Sequence, residues 1–362
     1  KMVATHDLPA PAIKDPSKYF QADTFTGTGA ELVRTLTDAG GSAVSPDLVW
    51  IKDRDSNSTE HVVTDSVRGA TKEWNPDSYL AETTVAQGVK SFNASGYTLG
   101  TDAAYNASSS LQVAWCWVAG TGAATNEEGD ITTSIDANTT NGFSIISYTG
   151  NTTSGQTIGH GLNSTPELYI PKRLGGAGSS TRVFHKDVGA TKALDLGGSG
   201  AASTDTAFWN DVAPSATLIT LGDSTSTNDA AAMIGYAWHS VEGYSKIGSY
   251  TGNGNNDGAF VYLGFAPQYI LLKHSTAGEH WAIYTWDIEH GTYAGNTGTG
   301  HKIEANTQDD EGSDTTRALD MLSNGFKLRT SNGAVNDTAV FVYAAFAEYP
   351  FGGDGVAQVR AR

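Results

Sequence analysis

Two carboxylates in the stretch TWDIEHG, Asp287 and Glu289, stand two residues apart, the separation that puts side chains on one face of a strand. Hydrolysis of a glycan needs acids in pairs across the scissile bond, one protonated and one ionised. A second acidic stretch, DRDSNSTEH, opens with oxygen-bearing side chains at Asp53, Asp55 and Asn57, spaced as in a calcium loop. It lacks the glycine at the sixth place and the glutamate at the twelfth, so calcium is expected there only as an incomplete site.

Sugar binding asks for less: a flat aromatic face for the C–H surface of the ring, with amides and carboxylates fixing the hydroxyls. The chain has 8 Trp and 15 Tyr, and the glycan-binding candidates are Trp74 in KEWNPDSY, Trp209 in FWNDV, and Trp281 with Trp286 in HWAIYTWD. The competing reading of each is an aromatic of a core or of a subunit contact. Neither a GxSxG elbow nor an HExxH pair occurs. His160 in GHGL reads as a turn residue capping backbone groups. Cys116 is the single cysteine, which excludes an intrachain disulfide and a cysteine-based zinc cage; within VAWCWV it reads as a small buried hydrophobe. No catalytic residue is assigned, no cofactor beyond the incomplete calcium site is expected, and the chain is read as no enzyme.

The elements that must position these residues are strands. Gly supplies 42 of 362 residues, and Ser, Thr, Asn and Asp crowd the rest, a composition of short strands joined by turns. The pentapeptide SYTGN occupies both 147–151 and 249–253, and a blurred version, TFTGTG, starts at Thr24. After each TG turn comes a proline-led apolar strand ending in lysine: PDLVWIK, PELYIPK and PQYILLK. Each copy closes with an alternating strand, a polar turn holding an asparagine (Asn106, Asn228, Asn336) and a strand rich in aromatics. In FVYAAF, Phe341, Tyr343 and Ala345 point one way and Val342, Ala344 and Phe346 the other, so such strands are expected to be buried on both faces.

An all-β chain of three tandem, pseudo-repeated β-sandwich units follows, at 18–120, 142–240 and 243–351. An extended arm, 1–17, precedes them, and a tail, 352–362, follows. The arm residues Leu8, Pro9, Pro11, Ile13 and Pro16 suit a clasp for a neighbouring subunit, since proline cannot pair in a central strand. The linker 121–141 is polar and acidic, so it is expected to be exposed and to leave the first unit freer than the closely joined second and third. In the second unit, Pro171 is expected to interrupt its strand.

Along nearly the whole chain, the stretches DPSKYF, PDLVWIKDRD, DSVRG, GYTLGTD, VAWCWVAG, VEGYSKIGSYTGNGNNDGAFVYLGF, SNGFKLRT and YAAFAEYPFGG resemble a family of virion structural proteins of tailed phages, especially marine and cyanobacterial ones. The resemblance implies a multi-unit β protein on the outside of a virion, tail-fibre-like or a decoration protein. The fold it implies is of the concanavalin A-like or jelly-roll type, and it brings no catalytic residues. TWDIEHG resembles part of the acidic strand motif of some glucanases, but Thr285 stands where the leading acid would be.

The balance of 22 basic against 39 acidic residues, a formal charge of −17, sets the surface against nucleic acid and anionic membranes. No apolar run is long enough to span a bilayer, and KMVATHDLPAPAIKDP has no secretory stretch, so a soluble chain is expected, and the resemblance implies the virion surface, with assembly in the host cytoplasm. Its expected partners are copies of itself, as a trimer or another symmetric oligomer, other virion proteins and a host surface polysaccharide. The alternatives are a head or tail decoration protein that stabilises the particle without touching the host and, third, a glycan depolymerase.

Overall fold

The segment LQVAWCW, Leu111–Trp117, shows how the strands are used. Successive side chains leave a strand on opposite faces. Ala114 and Cys116 enter one apolar cluster with Tyr97 and Leu99, while Val113, Trp115 and Trp117 enter another with residues from far along the chain. The same parity governs Ala232–Trp238 and Val340–Phe346. Ile234, Tyr236 and Trp238, and likewise Val342, Ala344 and Phe346, face the shared cluster. Phe341, Tyr343 and Ala345 turn to a local one, as the alternation of FVYAAF predicts.

In the computed structural model, which describes residues 11–290 and 300–348, the chain is all-β and arranged in several antiparallel sheets. The first large sheet orders Phe20–Thr26, Leu111–Trp117, Leu48–Asp53 and Val62–Asp65. The second has eight strands and is centred on Phe143–Thr149, Ala232–Trp238 and Leu168–Arg173. The third has six and is centred on Ser245–Thr251, Val340–Phe346 and Tyr269–His274. A small sheet faces each large one across a local apolar cluster, so the arrangement is sandwich-like.

The other faces of the three large sheets meet in one core. Trp117, Trp238 and Phe346, which hold the same place in their strands, form a closed triangle of ring contacts with centroid separations of 6.1, 6.3 and 5.6 Å. The cavity beside them is about 30 Å³ and lined almost wholly by apolar atoms, too small and too dry for a ligand.

The repeated TG turn answers to an asparagine. Asn106, Asn228 and Asn336 are fully buried. Their Oδ1 atoms accept the N–H of Thr28, Asn151 and Asn253 at 2.7, 2.9 and 3.0 Å. Their Nδ2 groups donate to two carbonyls each: those of Ala30 and Gly100, of Thr153 and Gly222, and of Asn255 and Thr330. The glycine of each turn lies so near the backbone after its asparagine that a Cβ on Gly27, Gly150 or Gly252 would come within 2.1, 2.3 or 2.0 Å of a carbonyl oxygen. The repetition of SYTGN is therefore a packing requirement.

Three expectations change. Within 121–141, Ala124–Asn126 and Thr133–Asn138 are strands that extend the second large sheet, because Ile131 and Ile135 bury apolar surface in its local cluster. The first sheet set is tied to the others: Trp115 Nε1 donates to Thr285 Oγ1 at 2.9 Å, and Arg54 pairs with Glu311 at 2.6 Å. Pro171 sits inside Leu168–Arg173 opposite Gly235, where pairing to Arg182–His185 has already ended at Tyr169 and no sheet partner on that side needs its N–H.

Candidate functional site

The indoles singled out for sugar binding lie mostly inside. Trp74, Trp209 and Trp281 are buried, and each N–H has an interior acceptor: Tyr236 Oη at 3.0 Å, the Lys192 carbonyl at 3.0 Å and the Asp195 carbonyl at 2.7 Å. These rings do more for the core than for the surface, because each buries a large apolar face while satisfying its one donor. Trp286, half-buried, packs against the third local cluster. As exposed sugar platforms, Trp74, Trp209 and Trp281 are corrected by their burial.

Asp287 and Glu289 do not share a strand face. The strand ends at Thr285, and Trp286–His290 is a helical turn. Asp287 accepts from Gln268 Nε2 at 2.9 Å, and burial raises its pKa. The Glu289 side chain lies outside the described residues.

The calcium-like stretch uses its oxygens on its own chain. Asp53 Oδ1 accepts from the Asp55 N–H at 2.9 Å and from Ser110 Oγ at 2.6 Å, and Asp55 Oδ2 accepts from the Leu111 N–H at 2.7 Å. Asn57 is exposed. Among the described residues no group of three His, Cys, Asp or Glu converges as a metal site. In the arm, Ile13 is buried in the shared core, Pro16 is buried at the start of a short turn, and Pro11 packs so closely on Gly243 that a Cβ there would meet its ring at 2.4 Å. These three residues thus clasp their own chain; Leu8 and Pro9 lie outside the described residues.

A polar cleft of about 640 Å³ is lined by Asp38, Ser45, Asp47, Ser66, Thr121 and Asp136, among others. One of its carboxylates, Asp47, follows the proline of a proline-led strand. The residue after each proline is Asp47, Glu167 or Gln268. Glu167 receives the Ser240 N–H at 2.9 Å and the Lys186 ammonium at 2.8 Å. Asp47 receives the Ala119 N–H at 2.8 Å, but Ser66 is the side chain beside it where Glu167 has a lysine. Burial, with Asp136 adding repulsion, therefore pushes Asp47 up to about 6. Asp136 is buried and accepts the Gly122 N–H at 3.3 Å. The cleft offers hydroxyls and acids to a polar ligand. For Asp47 the sequence signal was the varying polar residue after a repeated proline.

Two other residues escaped the sequence reading. Phe260 and Tyr262, on the edge strand Phe260–Tyr262, are 47% and 57% exposed while Val261 between them points inward. The alternation FVY in GAFVYLGF was the available signal.

Buried His160 does cap backbone: its Nδ1 accepts the Leu162 N–H at 3.3 Å. Cys116 is buried, and burial raises its thiol pKa. Among the described residues no helix is long and apolar enough to cross a membrane. No curated protein matches the chain, and no solved structure matches it. Residues 15–350 match the family described as a domain of unknown function, DUF7483, and the chain belongs to that family.

Proposed function

We propose that the chain is a non-enzymatic structural protein of a tailed-phage surface, tail-fibre-like or tail-associated. On this reading the three sheet sets are tandem copies of one jelly-roll or concanavalin A-like sandwich, and residues 1–17 form its arm. The observation that carries it is the shared core closed by Trp117, Trp238 and Phe346. Each large sheet commits one whole face to the other two, an arrangement that fixes the three sets relative to one another and suits rigid display better than closure around a substrate. The phage resemblance of the sequence motifs supports the same reading, and self-association with closed symmetry would multiply the displayed loops. Host-glycan recognition is a second reading, favoured by the exposure of Phe260 and Tyr262.

The test is cryo-electron microscopy of intact particles bearing the chain, labelled with an antibody fragment against it. Label at the distal end of a tail appendage is the expected result. Label over the head or tail shaft, with the loops covered, would make the chain a decoration protein. Purified particles without the chain would overturn the proposal.

A further inference from the structure

The three-stranded sheet of Phe260–Tyr262, Gly325–Leu328 and Leu319–Leu322 turns one face into the third local cluster through Val261, Phe326, Leu328 and Met321. Its other face carries Phe260 opposite Lys327 and Asp320, and Tyr262 in the next outward position. Two residues along a strand separate these rings by about 6.5–7 Å. The fold does not call for aromatics here. The corresponding edge strand of the first sheet set, Leu32–Thr35, places Val33 and Thr35 outward, and that of the second, Thr157–Gly159, has Thr157 and a buried Gly159 in those positions. Two rings about half exposed gain little burial and invite association, so their presence on one set of three is a surface feature.

We propose that this face binds a neutral glycan, with Phe260 and Tyr262 stacking on the C–H faces of sugar rings and the flanking polar groups reaching their hydroxyls. The assignment deepens the glycan-recognition reading and rests on it. Three observations choose the ligand. Two of the three cations beside the rings already have anions, Lys327 with Asp257 at 2.8 Å and Arg329 with Asp320, and the third, Lys246, is engaged by the Tyr262 carbonyl at 2.7 Å. A phosphate or uronate would have to displace an acid and approach a chain of net charge −17. Addition of a protein strand to the open edge is opposed by Lys246, whose ammonium donates to the outward carbonyl of Tyr262 at 2.7 Å and lies 5.6 Å from its ring centre. What remains for a ligand is the exposed part of the two rings, with paired charged groups level with them as hydroxyl partners.

The experiment is affinity electrophoresis of the full chain through gels holding laminarin, mannan, dextran, soluble cellulose or alginate. Parent, Phe260→Ala, Tyr262→Ala and the double variant are compared, each checked for native circular dichroism. Both side chains are exposed, so folding should be intact. The expected result is retardation by at least one neutral glycan, not by alginate, weakened about tenfold or more in the double variant. Retardation that the double variant keeps would overturn this site while leaving glycan recognition standing. No retardation of the parent by any neutral glycan would overturn both. Sedimentation of the parent as an oligomer that the double variant loses would overturn the site in favour of a contact between copies. None of these results depends on where the chain sits on a particle.

Discussion

The ammonium of Lys172 lies 5.6 Å from the centre of the Trp74 ring and has no hydrogen-bond partner among the described residues, although it is buried. The lysines in the same place of the other two proline-led strands are caged. Lys52 donates to the carbonyls of Ser56, Thr59 and Gln308 at 3.1, 2.7 and 2.9 Å, and Lys273 to those of Ser199, His274 and Ala277 at 3.1, 2.8 and 3.2 Å. Continued past the last paired residues, the registers that bring Lys52 level with His61 and Lys273 level with Trp281 bring Lys172 level with Thr181. Thr181, the residue level with Lys172, has an unpartnered hydroxyl as well. The Trp74 face takes the place of the cage.

Substituting these lysines should therefore have opposite effects. Lys172→Met removes a buried charge with poor compensation and should leave stability unchanged or raise it by about 1 kcal/mol. Lys273→Met strands three carbonyls and should cost about 1–3 kcal/mol. Urea unfolding at pH 7 checks both, and equal losses would show that the Trp74 ring compensates as well as a carbonyl cage does.

Asp47 makes stability depend on pH in a stated direction. Its carboxyl is raised from its ordinary 3.8 to about 6, so between those values the folded chain holds a proton that the unfolded chain has lost. The stabilisation this gives is complete below about pH 4 and disappears as pH rises through about 6. Asp47→Asn keeps an acceptor for the Ala119 N–H and removes the titration. The unfolding midpoint of the variant relative to the parent should climb from pH 4 to 7 and then level off; a constant difference would show that the carboxyl is not raised.

The shared core predicts that the three sheet sets unfold together. Trp238 touches both Trp117 and Phe346, so Trp238→Ala should cost about 3–5 kcal/mol and lower the single transition without splitting it. Calorimetry decides this, and separate transitions would mean that the sets are stabilised individually.

Strand parity was legible because it depends on neighbours in sequence: FVYAAF assigns its six side chains to the correct faces without knowledge of what lies beyond. What each face meets was not legible. Trp74 and Trp281 read as surplus aromatics, since the acceptors that bury them, Tyr236 and Asp195, are supplied from elsewhere in the chain. Residues 121–141 read as a loop for the same reason: their polar side chains hide Ile131 and Ile135, two apolar contacts that suffice once a sheet edge is at hand. The end of the strand at Thr285 was hidden by an apolar pattern that runs on into Trp286. The lone state of Lys172 was not legible either, because the carbonyls that cage Lys52 and Lys273 come partly from distant residues, Gln308 and Ser199.

The turn asparagines are the place where sequence and structure agree most closely, and they give the last prediction. Asn336 satisfies the Asn253 N–H and the carbonyls of Asn255 and Thr330 from a fully buried position. Alanine there strands three backbone groups and should cost about 3 kcal/mol or more, since each buried unsatisfied group costs about 1–3 kcal/mol. Asp at the same position keeps the acceptor for Asn253 but turns two donors into acceptors facing carbonyls, so Asn336→Asp should be at least as damaging as Asn336→Ala at pH 7. Gly252→Ala tests the other half of the turn, because its Cβ would stand 2.0 Å from the Asp337 carbonyl oxygen and the backbone must shift. If the two halves form one unit, the Asn336→Ala, Gly252→Ala double variant should lose less than the sum of the single losses, the first change having already released the turn. Additive losses would mean that the glycine and the asparagine act independently.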